Sequence, residues 1–498
     1  MNAAQRLLAV GADNAVALEC GEERITYGEL RAAVERAGGA WRALGVETAT
    51  RVVVFAPDSI DWVIAYLGVI WAGGVAIGIN PRLGLGDLGP IVNDSEVRFI
   101  WCEADTAPGV VILARTLEAG PVVVAAGCAE ARDWRAELAD AAPIEALARD
   151  DKDPALWIGT SGTTGIPKGV IHAQRVAHQP HSFAEGVLRA GRADRFYATS
   201  KLFFAYALAN SLFAAMRVGA TAVLDRERPT PARVRSLVAR HRPTLFFTVP
   251  TLYSAMLHEG VAPAFAGCGI RHCVSAGEAL PERVRDAWAA ASGMAPISGY
   301  GTSETLCLVL YSDDASGALV PTPLTEVAPA EMRDDATPRR IRLRNPTLAL
   351  GYWRRPEAQA DGFRDGWFSP GDMFIDRGPG RFEYAGRTDD LIKVSGQWVS
   401  TLWVEHALAA GGGDAVLQVA AVPVVTADGL TTLAAMAIPA PGREADARAR
   451  LAAAIEALPK YRRPSWLHWV PELPLTTTGK LQRSRLRDVH ESALAARR

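Results

Sequence analysis

The chain predicts an α/β protein: a large domain of mostly parallel sheet with covering helices, followed by a small α+β domain. Short apolar runs alternate with Ala/Arg-rich helical stretches through most of the sequence, which is the pattern of parallel strands joined by helical crossovers. The expected strands are Val52–Phe55, Val75–Ile79, Phe99–Cys102, Val122–Ala125, Ala155–Gly159, Ala220–Leu224, Thr244–Thr248 and His272–Ser275. Tyr27–Leu44, Thr230–His241 and Glu282–Ala291 read as helices between them. Near residue 387 the character changes. Gly351 to Gly386 is dense in glycine and aromatics, reading as short strands and turns. The C-terminal stretch beyond it holds one strand group (Leu417–Val422, Leu433–Ile438) and two helical stretches (Val404–Ala410, Glu444–Ala457). The division expected is therefore residues 1–387 and residues 388–498.

A length of 498 residues allows two to four domains, and 49 % apolar with 22 % charged residues suits a sizeable core. The net charge of −2 and the lack of a basic run give no footprint for nucleic acid or an anionic membrane. The most apolar stretch, Trp62 to Ile79, is broken by Gly68, Gly73 and Gly74 and ends at Asn80-Pro81. It reads as a buried helix, a glycine turn and a short strand rather than a span of about 20 residues. The six cysteines form no CxxC pair, and no secretion signal opens the chain, so a cytoplasmic location is expected. Cys268, His272 and Cys273 lack a second ligand pair at zinc spacing. His172, His178 and His181 are explained as solvated or structural histidines.

The most informative segment is Thr160 to Val170, T-S-G-T-T-G-I-P-K-G-V, which comes directly after the apolar run Ala155–Ile158 and Gly159. Glycines let backbone N–H groups approach an anion, hydroxyls donate to phosphate oxygens, and Lys168 adds charge. The pattern is not a Walker A loop, because Lys168 comes after Pro167 and is succeeded by no hydroxyl.

This loop closely resembles the signature of the acyl-adenylate-forming superfamily, which includes acyl- and aryl-CoA synthetases, peptide-synthetase adenylation domains and beetle luciferases. Further segments occur in the family's order: Thr26-Tyr27-Gly28-Glu29-Leu30, Gly299-Tyr300-Gly301-Thr302-Ser303-Glu304, Gly366 to Asp372, Gly386 to Lys393, and Thr478-Gly479-Lys480. The resemblance implies stacked mostly parallel sheets with covering helices, a small distorted barrel-like subdomain, and a small C-terminal α+β domain that rotates as a mobile lid. It also implies ATP, Mg²⁺ and coenzyme A as reactants and cofactors.

The implied reaction first joins a carboxylate to the α-phosphate of ATP, two anions that need cations and oriented donors between them. By the resemblance Lys480 bridges the two, Glu304 holds Mg²⁺ as a hard oxygen ligand, and Thr163 with Thr164 and Thr302 donates to phosphate oxygens. Thr160, Ser161, Gly162, Gly165 and Lys168 complete the phosphate loop. Gly277, Glu278 and Ala279 with Tyr300 and Gly301 are implied around adenine, Asp372 on the ribose, and Arg387 beside ribose or phosphate. Asp389 takes the hinge position about which the C-terminal domain turns. Lys393 and Gly396 then approach the thiol, and Arg82, Tyr461 and Arg463 are candidates for the CoA nucleotide.

Lys201 to Tyr206, Ser275 to Pro281 and Lys393 to Ser400 resemble the benzoate–CoA ligase branch specifically. The implied acid slot holds Phe203, Ala205, Tyr206, Ser275, Gly299, Gly301, Cys307 and Leu308, a flat aromatic-walled site suited to a benzoate-sized acid. Two departures stand out. Cys307 occupies a position where that branch typically carries histidine, which opens the way to an amino- or hydroxyl-substituted ring. Pro321 to Arg344 is short and lacks the usual proline-glycine and glycine-glutamate pattern. An alternative acceptor is the phosphopantetheine thiol of a carrier protein. Further alternatives are a silent nucleotide-binding paralogue, oxidation of the adenylate, and an amine or nitrite nucleophile.

Overall fold

A computed structural model describes residues 1–160, 167–177, 181–314, 316–329, 338–388, 391–394, 397–426, 429–474 and 481–495. It divides into two compact units, one of Met1–Val327 with Leu343–Phe368 and one of Ala328–Arg342 with Ser369–Arg498. The packing thus groups Ala328–Arg342 and residues 369–387 with the C-terminal part, whereas the change in sequence character led to a boundary at 387/388.

The first unit contains two sheets. One runs Gly351–Tyr352, Lys168–Ala173, Pro154–Thr160, Val75–Gly78, Arg51–Phe55, Phe99–Cys102, Val122–Ala125, Arg132–Asp133. Its pairings are parallel from Pro154–Thr160 onward, and antiparallel at the hairpin of Pro154–Thr160 with Lys168–Ala173. The other runs Glu23–Thr26, Val16–Cys20, Thr221–Leu224, Arg195–Ala198, Leu245–Thr248, His272–Ser275, Ile297–Tyr300, Leu310–Ser312, Leu319–Pro321. It is parallel from Val16–Cys20 through Ile297–Tyr300. All eight expected strands are present, and Trp62 to Ile79 resolves into the buried helix Ile60–Trp71, a turn at Gly73 and the strand Val75–Gly78.

Local chemistry fixes the helix bounds. Tyr27–Leu44 starts at a capping box, in which Thr26 accepts from Glu29 N–H and the Glu29 carboxylate accepts from Thr26 N–H at 2.9 Å. It stops at Gly45, whose φ of +101° lies in the left-handed region that favours glycine. The helix crosses Ile60–Trp71 closely: a Cβ on Gly68 would lie 2.7 Å from Ala37 Cβ. Among the described residues, no helix is long and apolar enough to cross a membrane.

In the second unit, Asp372–Asp376 pairs antiparallel with Phe382–Arg387 and with Arg339 and Arg340. The C-terminal part has a sheet of Val416–Val425, Thr431–Pro439 and Trp466–Trp469, packed by helices Thr401–Gly412, Glu444–Ala457 and Arg483–Ala495. The hairpin Leu391–Val394 with Gln397–Ser400 precedes it.

Replacing Thr26 by alanine removes the cap at one end of the first unit's longest described helix. The expected loss is about 1 kcal/mol of stability, read as a lower urea midpoint with unchanged slope.

Candidate active site

The phosphate-loop candidate is the tip of an antiparallel hairpin. Thr160 pairs with Lys168, so the residues between them form the connection, and Ser161, Gly162, Thr163, Thr164 and Gly165 lie outside the described residues. Lys168, Val170 and His172 share one face of their strand by the period of two, and Tyr352 pairs with Val170 on the neighbouring strand.

Glu304 is tied to this face. Tyr352 Oη donates to Glu304 Oε1 at 2.7 Å, and the Lys168 ammonium lies 5.4 Å from the centre of the Tyr352 ring. Ala349 N–H donates to the Glu304 carbonyl at 2.8 Å. One residue earlier, His172 Nε2 donates to the Ser303 carbonyl at 2.8 Å. The Thr302-to-Cys307 segment then folds on itself: Thr302 N–H donates to Thr305 Oγ1 at 2.9 Å, and Cys307 N–H donates to Thr305 O at 2.8 Å. Leu306, between the last two, has φ of +63°, the rare and strained γ-turn for a branched residue. Strain held at this point lets the chain pass from Glu304 to the Cys307–Leu308 wall in three residues.

Gly277, Glu278 and Ala279 lie just past the C-terminal end of His272–Ser275, and Gly301 and Thr302 just past that of the adjacent parallel strand Ile297–Tyr300. Ligands of open parallel sheets bind at this edge. Gly277 has φ of +90°, a backbone turn that a side chain would strain.

The acid-slot candidates gather at the same strand ends. Tyr206 Oη donates towards Thr248 O at 3.3 Å and Val274 O at 3.4 Å, and its ring meets Phe247 edge-on with centroids 6.2 Å apart. Burial holds its hydroxyl protonated by raising its pKa well above the usual tyrosine value. Phe203 and Phe204 pack with centroids 4.4 Å apart. Their segment hangs from a buried carboxylate: both Asp58 oxygens accept from Leu202 N–H at 3.1 Å. Desolvation pushes the Asp58 pKa up to about 7 against the attraction of Lys201. A Cβ on Gly299 would lie 2.5 Å from Leu308 Cδ1, and one on Gly301 would lie 2.7 Å from Cys307 O. These two glycines therefore seat the Cys307–Leu308 turn. Cys307 Sγ lies 3.0 Å from Thr347 Oγ1, and burial pushes the thiol pKa up to about 11.

Ser275 is buried at the C-terminal end of its strand, in register with Thr248, whose carbonyl accepts from Tyr206. Cys273 is part of the core that includes Tyr253 and Trp288, and Cys268 Sγ donates to Phe265 O at 3.0 Å, so both sulfurs have structural surroundings.

In the second unit Asp372 and Arg387 face one another in register, and Tyr384 Oη donates to Asp372 Oδ1 at 3.2 Å. Thr388 closes the turn through its N–H and hydroxyl to Gly371 O at 2.8 and 2.9 Å. The Lys393 ammonium lies 5.0 Å from the Trp398 ring centre, its register partner. Asp389, Gly396 and Lys480 lie outside the described residues. The base of the Lys480 loop is closed by Gln482 N–H to Pro474 O at 2.8 Å, and Arg483 forks onto Glu405 at 2.5 and 2.9 Å. Of the CoA candidates, Arg82 is exposed after an Asn80 turn, Tyr461 leans on the C-terminal core, and Arg463 pairs with Glu456 at 2.7 Å.

Tyr352, His172 and Asp58 are the site-building residues that sequence motifs did not single out. The only local signal is Tyr352's place in the glycine- and aromatic-rich stretch after Gly351.

His172 and His181 are buried, and desolvation lowers both to a pKa of about 4. Because the folded value lies below the unfolded one, each contributes stability present above pH ~6.5 that is lost as pH falls towards 4, on the order of 3 kcal/mol per group. Asp58, shifted upward, acts in the opposite sense. The expected outcome is that His172→Gln loses less stability than wild type between pH 7.5 and 4.5 in urea titrations. Equal losses would contradict a buried neutral His172.

Comparison with known proteins gives a consistent picture. The AMP-binding enzyme family model matches residues 8–353. A 3-hydroxybenzoate–CoA ligase of Aromatoleum sp. (strain CIB) is 37 % identical over 98 % of this chain and 97 % of its own. A benzoate–CoA ligase of Thauera aromatica is 36 % identical over 93 % of this chain and 90 % of its own. Among solved structures, the anthranilate CoA ligase AuaEII in complex with anthranoyl-AMP aligns with a TM-score of 0.91 at 28 % identity, covering 99 % of this chain and 98 % of that one. A benzoate CoA ligase from Burkholderia xenovorans LB400 aligns at 0.88 with 30 % identity, covering 98 % of this chain and all of that one. With the hairpin, the tethered glutamate and the aromatic slot in one unit, the chain belongs to the AMP-binding enzyme family, in its benzoate–CoA ligase branch.

Proposed function

We propose that this protein is an ATP-dependent aryl-acid–CoA ligase that converts benzoate or a hydroxy- or amino-substituted benzoate to its CoA thioester, releasing AMP and pyrophosphate. The observation that carries the reading is the Lys168–Tyr352–Glu304 link, which gathers a cation and a carboxylate beside the hairpin tip, in the unit that also holds the Phe203-to-Tyr206 slot. The hydroxybenzoate– and benzoate–CoA ligases among the relatives support both the aromatic acid and CoA, rather than a carrier protein, as acceptor.

In the first step an acid oxygen forms a bond to the α-phosphorus of ATP as pyrophosphate leaves. Lys480 would lie between the two anions, and Thr163, Thr164 and Thr302 would donate to phosphate oxygens. The donor set at Glu304 fits Mg²⁺: Mg²⁺ commonly takes one or two carboxylates together with substrate phosphates and water, and here Tyr352 fixes one oxygen of a carboxylate. Bound there, Mg²⁺ would offset phosphate charge. Gly277-Glu278-Ala279, Tyr300 and Gly301 would border adenine, Asp372 would accept from the ribose hydroxyls, and Arg387 would stand beside it.

In the second step the CoA sulfur adds to the acyl carbonyl and AMP leaves. Residues 388–498 would rotate about Asp389 to bring Lys393 and Gly396 to the thiol. Arg82 and Tyr461 remain the candidates for the CoA nucleotide; Arg463, already paired with Glu456, would have to exchange partners. A cytoplasmic setting would supply ATP and CoA.

Two outcomes test this. Lys480→Ala is expected to abolish acid-dependent pyrophosphate release, by about 100-fold or more, while still converting supplied aroyl-AMP and CoA to thioester. Lys393→Ala is expected to retain pyrophosphate release and to slow thioester formation at least tenfold; equal loss of both steps in both variants would refute the division of labour. For the substrate, a panel of benzoates and fatty acids scored by pyrophosphate release, then by mass detection of acyl-CoA, is expected to favour ring-substituted benzoates. A preference for fatty acids, or adenylate without thioester, would refute the proposal.

A further inference from the structure

The two walls of the acid slot come from chain segments 98 residues apart, and one buried amide joins them. The helix that begins at Ala205 passes into a π-helix at Leu208–Phe213, where Ala214 N–H reaches back five residues to Ala209 O. Such widened turns are rare and recur at functional sites. Inside this one sits Asn210, 1 % exposed. Its Nδ2 donates to Tyr206 O at 3.0 Å, and its Oδ1 accepts from Leu308 N–H at 3.3 Å. The donor half of the amide is thus used on the Tyr206 wall and the acceptor half on the Leu308 wall. An apolar residue here would deprive a part-buried carbonyl and a buried N–H of this partner. The Leu308 wall also meets Gly299, where an added Cβ would lie 2.5 Å from Leu308 Cδ1.

We propose that Asn210 is a positioning residue that fixes the separation of the Tyr206 and Leu308 walls and so decides which ring substituents the slot admits. This rests on the reading of that slot as the acid site. Both halves of the Asn210 amide are engaged by backbone, so it acts through the two segments it joins.

The test uses the full-length enzyme, with pyrophosphate release measured for benzoate, 3-hydroxybenzoate, 4-hydroxybenzoate and 2-aminobenzoate. In Asn210→Leu the KM for the preferred acid is expected to rise tenfold or more. The kcat/KM ratio between the best and worst acids is expected to shrink by a similar factor, while the KM for ATP stays within twofold. Gly299→Ala pushes on the Leu308 side chain of the same wall, and is expected to show the same split whether or not the Asn210 variant folds. Losses that are uniform across acids, or that raise the KM for ATP in step, overturn the inference. A wild-type enzyme that activates none of the four acids overturns the slot reading and this inference with it.

Discussion

The hydrogen bond from Tyr352 to Glu304 ties together parts of the chain that have no covalent reason to meet. Glu304 lies beyond the end of one parallel sheet, the hairpin that carries the glycine- and hydroxyl-rich turn belongs to the other, and Tyr352 is an edge residue of the hairpin's sheet. His172 adds a second tie one residue before Glu304. Because the ring is buried and kept neutral, that tie is a directional hydrogen bond rather than a charge interaction, and it is insensitive to salt. The two contacts together fix where a carboxylate stands relative to Lys168, which a site for a triphosphate and its metal requires.

The aromatic side of the unit obeys a similar logic with different groups. Asp58 holds the Leu202 amide, Tyr206 reaches two strand-end carbonyls, and Gly299 and Gly301 admit the Cys307–Leu308 turn. Backbone contacts of this kind tolerate little substitution, whereas the side chains that face the slot can vary. Cys307 illustrates the point: its thiol is buried against Thr347, at a position where the branch typically carries the larger histidine, while the turn that presents it is kept by Thr305 and the strained Leu306.

Much of this was legible in the sequence. The helix Tyr27–Leu44 could be read to its bounds because its capping box and its terminal Gly45 are local signals. The parallel strands were legible as β-branched runs between helices. Arg195–Ala198 was not, since four residues beginning with arginine carry little periodicity, although the strand sits between two of the expected ones. The loop and motif residues were legible through resemblance, but the contacts that hold them were hidden. Tyr352, His172 and Asp58 act on partners 48, 131 and 144 residues away, so their importance arises from packing rather than pattern.

The most direct measurement is a crystal structure of the full chain with a non-hydrolysable aroyl-adenylate analogue. The phosphate is expected within hydrogen-bonding distance of residues 160–165 and of the Lys480 ammonium, with the ring between Tyr206 and Leu308. A nucleotide bound elsewhere, or Lys480 remote from the phosphate with no rearrangement of residues 388–498 able to bring it there, would contradict the claim that the hairpin turn and the distant lysine serve one substrate.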